Sequence, residues 1–229
     1  MNFLLLCQTA GQLAGIPNIQ PGVLPSSISG SSREMQKMAA WINMAWNEIQ
    51  RQREDWHWMR KAFSFQTVAN TQEYSPAAAG ITDFAKWRND SFRLFLTSAG
   101  VGTEIWLQQY DYNSFRDYYL LGARKITYAR PIAVSVTPDK KLSFGLAPDN
   151  IYTVSGEYFK SPSSLINDTD EPDIPSRFHW AVVHKALIKY GIDRASGEII
   201  QENQALYNAL MTELMADQTD EIVLGGSLI

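Results

Sequence analysis

Met35, Met38, Ile42, Ala45 and Ile49 recur at three- and four-residue steps, the spacing that lines side chains along one face of an α-helix. No other stretch narrows the possible folds as much, because a helix with an apolar stripe must lay that stripe against something. Asn43, Asn47, Gln50 and Glu54 fall largely outside it. Ser31-Ser32-Arg33-Glu34 precedes the pattern, and a serine oxygen there can accept an otherwise unpaired helical N–H. A helix from Arg33 to Glu54 is expected, about 30 Å long at 1.5 Å per residue. It runs into Trp56, His57 and Trp58, and with Trp41 and Trp46 this span holds four of the seven tryptophans. An indole offers a large apolar area and one donor, which suits packing better than catalysis. These rings are expected to pack the helix against a sheet.

Other helices are expected at both ends of the chain. Phe3 to Ala14 reads as a short helix with Phe3, Leu6, Ala10 and Leu13 on one side. Gly15, Pro17, Pro21, Gly22 and Pro25 break it, and Ser26 to Ser32 forms a linker of small residues. Asp173 and Pro175 open a helix over Ser176–Tyr190 that is apolar around most of its circumference, with Gly191 as its stop. A last helix runs from Glu198 to Ala216, with Ile199, Leu206, Leu210 and Leu214 in its seam.

The middle of the chain changes period. Phe63, Phe65 and Thr67 alternate with Ser64, Gln66 and Val68, as in a half-buried strand. Phe92–Leu96 and Glu104–Leu107 read as a hairpin closed by a loop. Asp111–Leu121 interrupts with a short helix carrying Tyr112, Phe115 and Tyr119 on one face. Ile132–Val136, Lys141–Phe144 and Tyr152–Phe159 read as a meander turned at Pro138-Asp139 and Pro148-Asp149-Asn150. The expected fold is therefore α+β, a helical bundle from both chain ends with an inserted antiparallel β region. Its parts are 1–61 (N-terminal helices), 62–160 (β region), 161–218 (C-terminal helices) and 219–229 (a tail).

The residue types exclude several functions. A formal net charge of −4 argues against coating nucleic acid, and the densest basic group, Arg51, Arg53, Arg60 and Lys61, is interrupted by Glu54 and Asp55. Cys7 is the one cysteine, which points to a reducing compartment. Leu4-Leu5-Leu6-Cys7 lacks the basic region and length of a signal, and no apolar run approaches the roughly 20 residues needed to cross a bilayer. A soluble protein made in a cytoplasm is expected, with no membrane partner.

No chemistry-bearing motif is visible either. His179 and His184 are five apart and project in different directions on a helix, and His57 is remote in sequence. There is no zinc-spaced cysteine pair, phosphate-cradling glycine loop or Gly-x-Ser-x-Gly elbow. Asp168, Asp170, Glu171 and Asp173 lack the pattern of a calcium loop. They read as a solvated acidic loop beside a helix N-terminus. No catalytic, cofactor-binding or metal-binding residue is nominated, and the chain is expected not to be an enzyme.

Several stretches carry a resemblance: Trp41-Ile42-Asn43-x-Ala45-Trp46-x-x-Ile49-Gln50, Asp55-Trp56-x-Trp58-Met59, Glu73-Tyr74, Asp83-Phe84-x-x-Trp87 and Asp90-Ser91-Phe92-Arg93. It continues through Pro138-Asp139, Ala147-Pro148-Asp149, Tyr152-Thr153-Val154-x-Gly156-Glu157-Tyr158 and Pro172-Asp173-Ile174-Pro175-x-Arg177-Phe178-His179. Together these resemble the head-to-tail adaptor, or connector, proteins of tailed bacteriophages. The resemblance implies a structural virion protein at the head–tail junction, made in the host cytoplasm. Such a protein forms a ring, typically of twelve copies, beneath the portal protein and extends the channel through which DNA leaves. Its partners would be the portal, neighbouring copies of itself and other tail or connector proteins, with DNA passing without sequence-specific binding. Two other readings stay open: a tail-side virion protein (terminator or tube), and a carbohydrate-binding or carbohydrate-active protein using aromatic platforms. Ile222, Val223, Leu224, Leu228 and Ile229 are apolar with nothing of their own to bury them. They are the expected contacts to the portal or a neighbouring subunit.

Overall fold

In the computed structural model, which describes residues 1–17, 19 and 24–219, all five residues of the Met35–Ile49 stripe are fully buried. Five α-helices are present among the described residues: α1 (Phe3–Leu13), α2 (Arg33–Arg51), α3 (Tyr112–Tyr119), α4 (His179–Asp193) and α5 (Gly197–Asp217). The molecule is α+β and divides into two units, Met1–Trp58 with Pro162–Ile229, and Met59–Ser161.

In the first unit α2 packs on α1 and α4, and α5 packs on α4. The Ser32 hydroxyl caps α2 by accepting from the Met35 N–H. The helix stops at Arg51, three residues early, where the Gln52 N–H turns back to the Ile49 carbonyl. Trp46 and Trp56 are fully buried, and the Trp58 ring stacks on both, 5.2 and 5.8 Å between centroids. The Trp56 indole donates to the Ile49 carbonyl, so this aromatic group closes the end of α2 within the helical unit.

Three sequence expectations are corrected here. Gln50 does not lie outside the buried face; it is 1% exposed. α4 begins after a 3-10 turn at Ser176–Phe178 and runs through Gly191 to Asp193. Gly191 serves close approach rather than termination: a Cβ there would meet Ile200 Cγ1 at 2.8 Å, and the reversal falls at Ala195, at φ 53°. The seam of α5 is Asn203, Tyr207, Met211 and Leu214. Leu206 is left 45% exposed and Leu210 half-buried, because α4 takes the neighbouring face.

The second unit holds β1 (Arg60–Gln66), β2 (Glu73–Tyr74), β3 (Phe84–Trp87), β4 (Arg93–Leu96), β5 (Ile105–Trp106), β6 (Gln108–Gln109), β7 (Ala133–Val136), β8 (Leu142–Gly145) and β9 (Tyr152–Lys160). β9 is the spine of one sheet. β1 pairs along one edge, Arg60↔Phe159 to Gln66↔Thr153, while β4 and β3 share the other. The expected hairpin forms between β4 and β5, Arg93↔Trp106 and Leu94↔Ile105. The second sheet runs β2-β8-β7-β6.

The expected meander is not found. β7 and β8 pair, but β9 belongs to the other sheet. After β8 the chain turns out at Leu146, with φ 66°, and passes Pro148, which has no N–H to give a ladder. Nor is the β region purely antiparallel, since β6 and β7 pair in parallel. The long excursion between them supplies the crossover that a parallel pair needs. One apolar cluster takes Phe63, Trp87, Phe92, Leu94 and Val154 from the first sheet and its loops and Tyr74, Val134, Leu142 and Phe144 from the second. No helix among the described residues is long and apolar enough to cross a membrane.

Candidate assembly surfaces

The tail residues Ile222, Val223, Leu224, Leu228 and Ile229 lie outside the described residues. The acidic loop is described, and its carboxylates hold backbone. Asp170 accepts from the Ile166 and Asn167 N–H groups at 2.7 and 2.8 Å, which holds its carboxyl below the usual carboxylate range. Asp168 accepts from the Ile28 N–H, and the carbonyls of Asp168 and Asp170 receive the Leu4 and Phe3 N–H groups at the start of α1. The loop therefore anchors α1 and the small-residue linker.

The same segment is gripped from α2. Asn43 gives its amide N–H to the Leu165 carbonyl and takes the Leu165 N–H, both at 2.8 Å. Two helical turns further on, Gln50 does the same to Ser163, both at 2.9 Å. Two side-chain amides thus act as the missing partner strand for an extended segment. Of the histidines, His179 is buried against the Ile174 carbonyl, and its pKa is lowered by desolvation. His184 meets the Asn203 amide oxygen and stacks on Trp180. None of these groups converges on a shared point.

The excursion between β6 and β7 is built differently. Asp111 caps α3 by accepting from Asn113 and Ser114. Phe115 and Tyr119 bury with Ala133 as a small separate core. That foot is tight: a Cβ at Gly145 would meet Ala133 Cβ at 2.8 Å and Tyr119 Cζ at 2.9 Å. On the far side Tyr128 forms a bridge to Ala147, and Arg130 donates to the Thr103 carbonyl. Between these fastenings every residue from 121 to 128 is exposed. The tip is ordered as a 3-10 turn, Gly122–Ile126, with the Arg124 guanidinium 3.5 Å from the Tyr118 ring centroid. Leu121 is 60% and Ile126 73% exposed beside half-exposed Tyr118 and Tyr128. Arg116 pairs with Asp117, but no carboxylate pairs with Arg124 or Lys125 among the described residues. The base of this arm is the short helix expected over Asp111–Leu121, and five of the ten tyrosines fall between residues 110 and 128, but no local pattern marks the exposed tip.

A second surface of this kind lies on α5. Glu202, Leu206, Ala209, Glu213 and Ala216 follow one another at four- and three-residue steps and are all exposed. α5 contains four carboxylates and no Lys or Arg, and Glu198, Glu202 and Glu213 have no cation partner among the described residues.

A family model described as SU10 adaptor protein matches residues 1–227. The chain belongs to that family. The likeness to phage head-to-tail adaptors is thereby established across both units, the arm and α5 included. A member of the SU10 adaptor family is a phage structural protein whose partners are other head and tail proteins. No curated protein matches this chain. The exposed, ordered arm and the outer face of α5 fit a molecule whose work is contact.

Proposed function

We propose that this chain is a virion protein of the head–tail junction that forms a ring, of about twelve copies, under the portal protein and extends the DNA exit channel. Family membership over residues 1–227 carries this reading. Within it the helices of both chain ends act as one bundle, α1, α2, α4 and α5, and carry the β region as an insertion. The tail residues Ile222, Val223, Leu224, Leu228 and Ile229 dock on the portal or on a neighbouring copy. Burying them at roughly 25 cal/mol per Å2 favours docking, while ordering the tail opposes it, so each tail binds weakly and the ring multiplies the effect. The net charge of −4 supports a wall along which phosphate slides.

Electron microscopy of the purified chain mixed with its portal tests the reading. The free chain is expected to be monomeric or weakly associated, and rings are expected only on the portal. A tight two-fold dimer that leaves the portal bare would overturn it. Deleting the residues after Asp220 should leave a folded chain that no longer attaches.

A further inference from the structure

The two units differ in charge. Residues 59–161 hold twelve Lys and Arg against nine Asp and Glu; the remainder holds eight against fifteen. Part of the difference lies on the two surfaces already described. At the arm tip, Arg124 and Lys125 have no acidic partner among the described residues and stand among Tyr118, Leu121, Ile126 and Tyr128. On α5, Glu202 and Glu213 have no basic partner among the described residues and stand among Leu206, Ala209 and Ala216. Each is a small apolar strip, and the unpaired charges beside the two strips are opposite in sign. Each also lies where local packing leaves it uncovered, the arm beyond its Phe115–Tyr119 foot and the α5 strip beside the seam that α4 occupies.

We infer that the arm tip of one copy docks on the outer face of α5 in a second copy of this chain, Arg124 and Lys125 meeting Glu202 and Glu213 around an apolar centre of Leu121, Ile126 and Leu206. The inference rests on the adaptor reading and names the contact by which its ring closes. A contact between two different patches is head-to-tail, so each copy keeps one of each patch free until a ring closes. The apolar centre gives adhesion, and the flanking charges set register and reject arm-to-arm or helix-to-helix pairing. The area at one tip is small, which agrees with a free chain that associates weakly until a template brings copies together.

The chain offers a clean way to test this. Cys7 is buried and its thiol is pushed up to about 12 by burial and by Asp168, so it stays silent at neutral pH. Leu121→Cys and Leu206→Cys full-length chains, mixed in equal amounts under mild oxidation, should give a disulfide-linked pair that neither gives alone. The same mixture assembled on portal should give it in higher yield. Arg124→Glu with Lys125→Glu should cut that yield about tenfold, and Glu202→Lys with Glu213→Lys on the partner chain should restore it. All six positions are exposed, and unchanged melting temperatures check that folding is not the cause. Bridging of the Leu121→Cys chain with itself, or no bridge in the mixture, overturns the contact. A bridge closed within one chain carrying both cysteines, without linked pairs, also overturns it. Rings on portal without a 121–206 bridge overturn this contact and leave the adaptor reading standing. A bare portal overturns the adaptor reading, while a mixed bridge in the free protein still upholds the contact.

Discussion

The stretch 161–175 and the arm over 110–132 both run between strands or helices, yet they spend their side chains in opposite ways. In the first, Leu165 and Ile174 are buried, and Ser163 and Leu165 have their backbone groups paired by Gln50 and Asn43. Asp170 turns its own loop into a closed hydrogen-bonded unit. In the second, the foot is buried but Leu121, Ile126 and Tyr128 face outward, and no carboxylate pairs with Arg124 or Lys125 among the described residues. Ordered backbone under uncovered apolar side chains marks a surface held ready, whereas the gripped loop is internal architecture.

The sharpest way to break this contrast is to truncate equally on both sides. Asn43→Ala with Gln50→Ala strips four backbone groups of their partners and should cost about 3–5 kcal/mol of stability in denaturant titrations. Leu121→Ser with Ile126→Ser should cost under about 0.5 kcal/mol. Comparable losses from the two pairs would make the arm a structural element and remove the contrast.

Next in size is the foot of the arm. Gly145→Ala drives a methyl against Ala133 and Tyr119 and should cost about 2 kcal/mol. It should also speed tryptic cleavage after Arg124 and Lys125, because the tip loses its fixed base. Unchanged cleavage would mean that the tip is ordered by something other than Phe115 and Tyr119.

A smaller effect is set by pH. The carboxyl of Asp170 is held down by the Asn167 and Ile166 N–H groups, so its folded pKa lies below its unfolded value. Its stabilisation is complete above the unfolded value and fades as pH falls through the folded one. Thermal melts of the parent and Asp170→Asn should differ at pH 7, and the difference should begin to shrink only below about pH 4. A gap that stays constant down to pH 2.5 would break the argument.

The least stability change, and the finest readout, comes from Cys7. α1 is tied to the loop through Phe3 and Leu4, so thiol labelling at pH 8 reports how firmly the loop is docked. Labelling should be slow in the parent and in arm variants, and faster in the Asn43→Ala, Gln50→Ala chain. Equal rates in both would separate α1 from the loop.

The sequence was legible where one force dominates. The Met35–Ile49 stripe, the Ser32 cap and the 93–106 hairpin follow from period and turn chemistry. It was illegible where two solutions compete. α5 carries Leu206 and Leu210 beside Tyr207 and Met211, and only the position of α4 decides which pair is covered. Polar residues hid a second point, since nothing local says that Gln50 turns inward to pair with a segment 113 residues away. The sheet to which β9 belongs is likewise a long-range choice, settled by seven pairs with β1. The arm was visible as tyrosine density, but its exposure depends on a foot that only packing shows. The tail, which sequence favoured as the contact, lies outside the described residues, and so the arm and α5 carry the structural case.

The pairing Arg60↔Phe159 has a consequence for how such a chain can change over generations. In an antiparallel ladder, facing Cα atoms are only about 5 Å apart. The polypeptide therefore enters and leaves the stretch 60–160 through one doorway. A deletion, exchange or enlargement of everything beyond that doorway asks the remaining chain to span no more than a residue or two. Recombination between related genes can swap the sandwich and its arm as a cassette, altering what the molecule grips without disturbing the helices on either side.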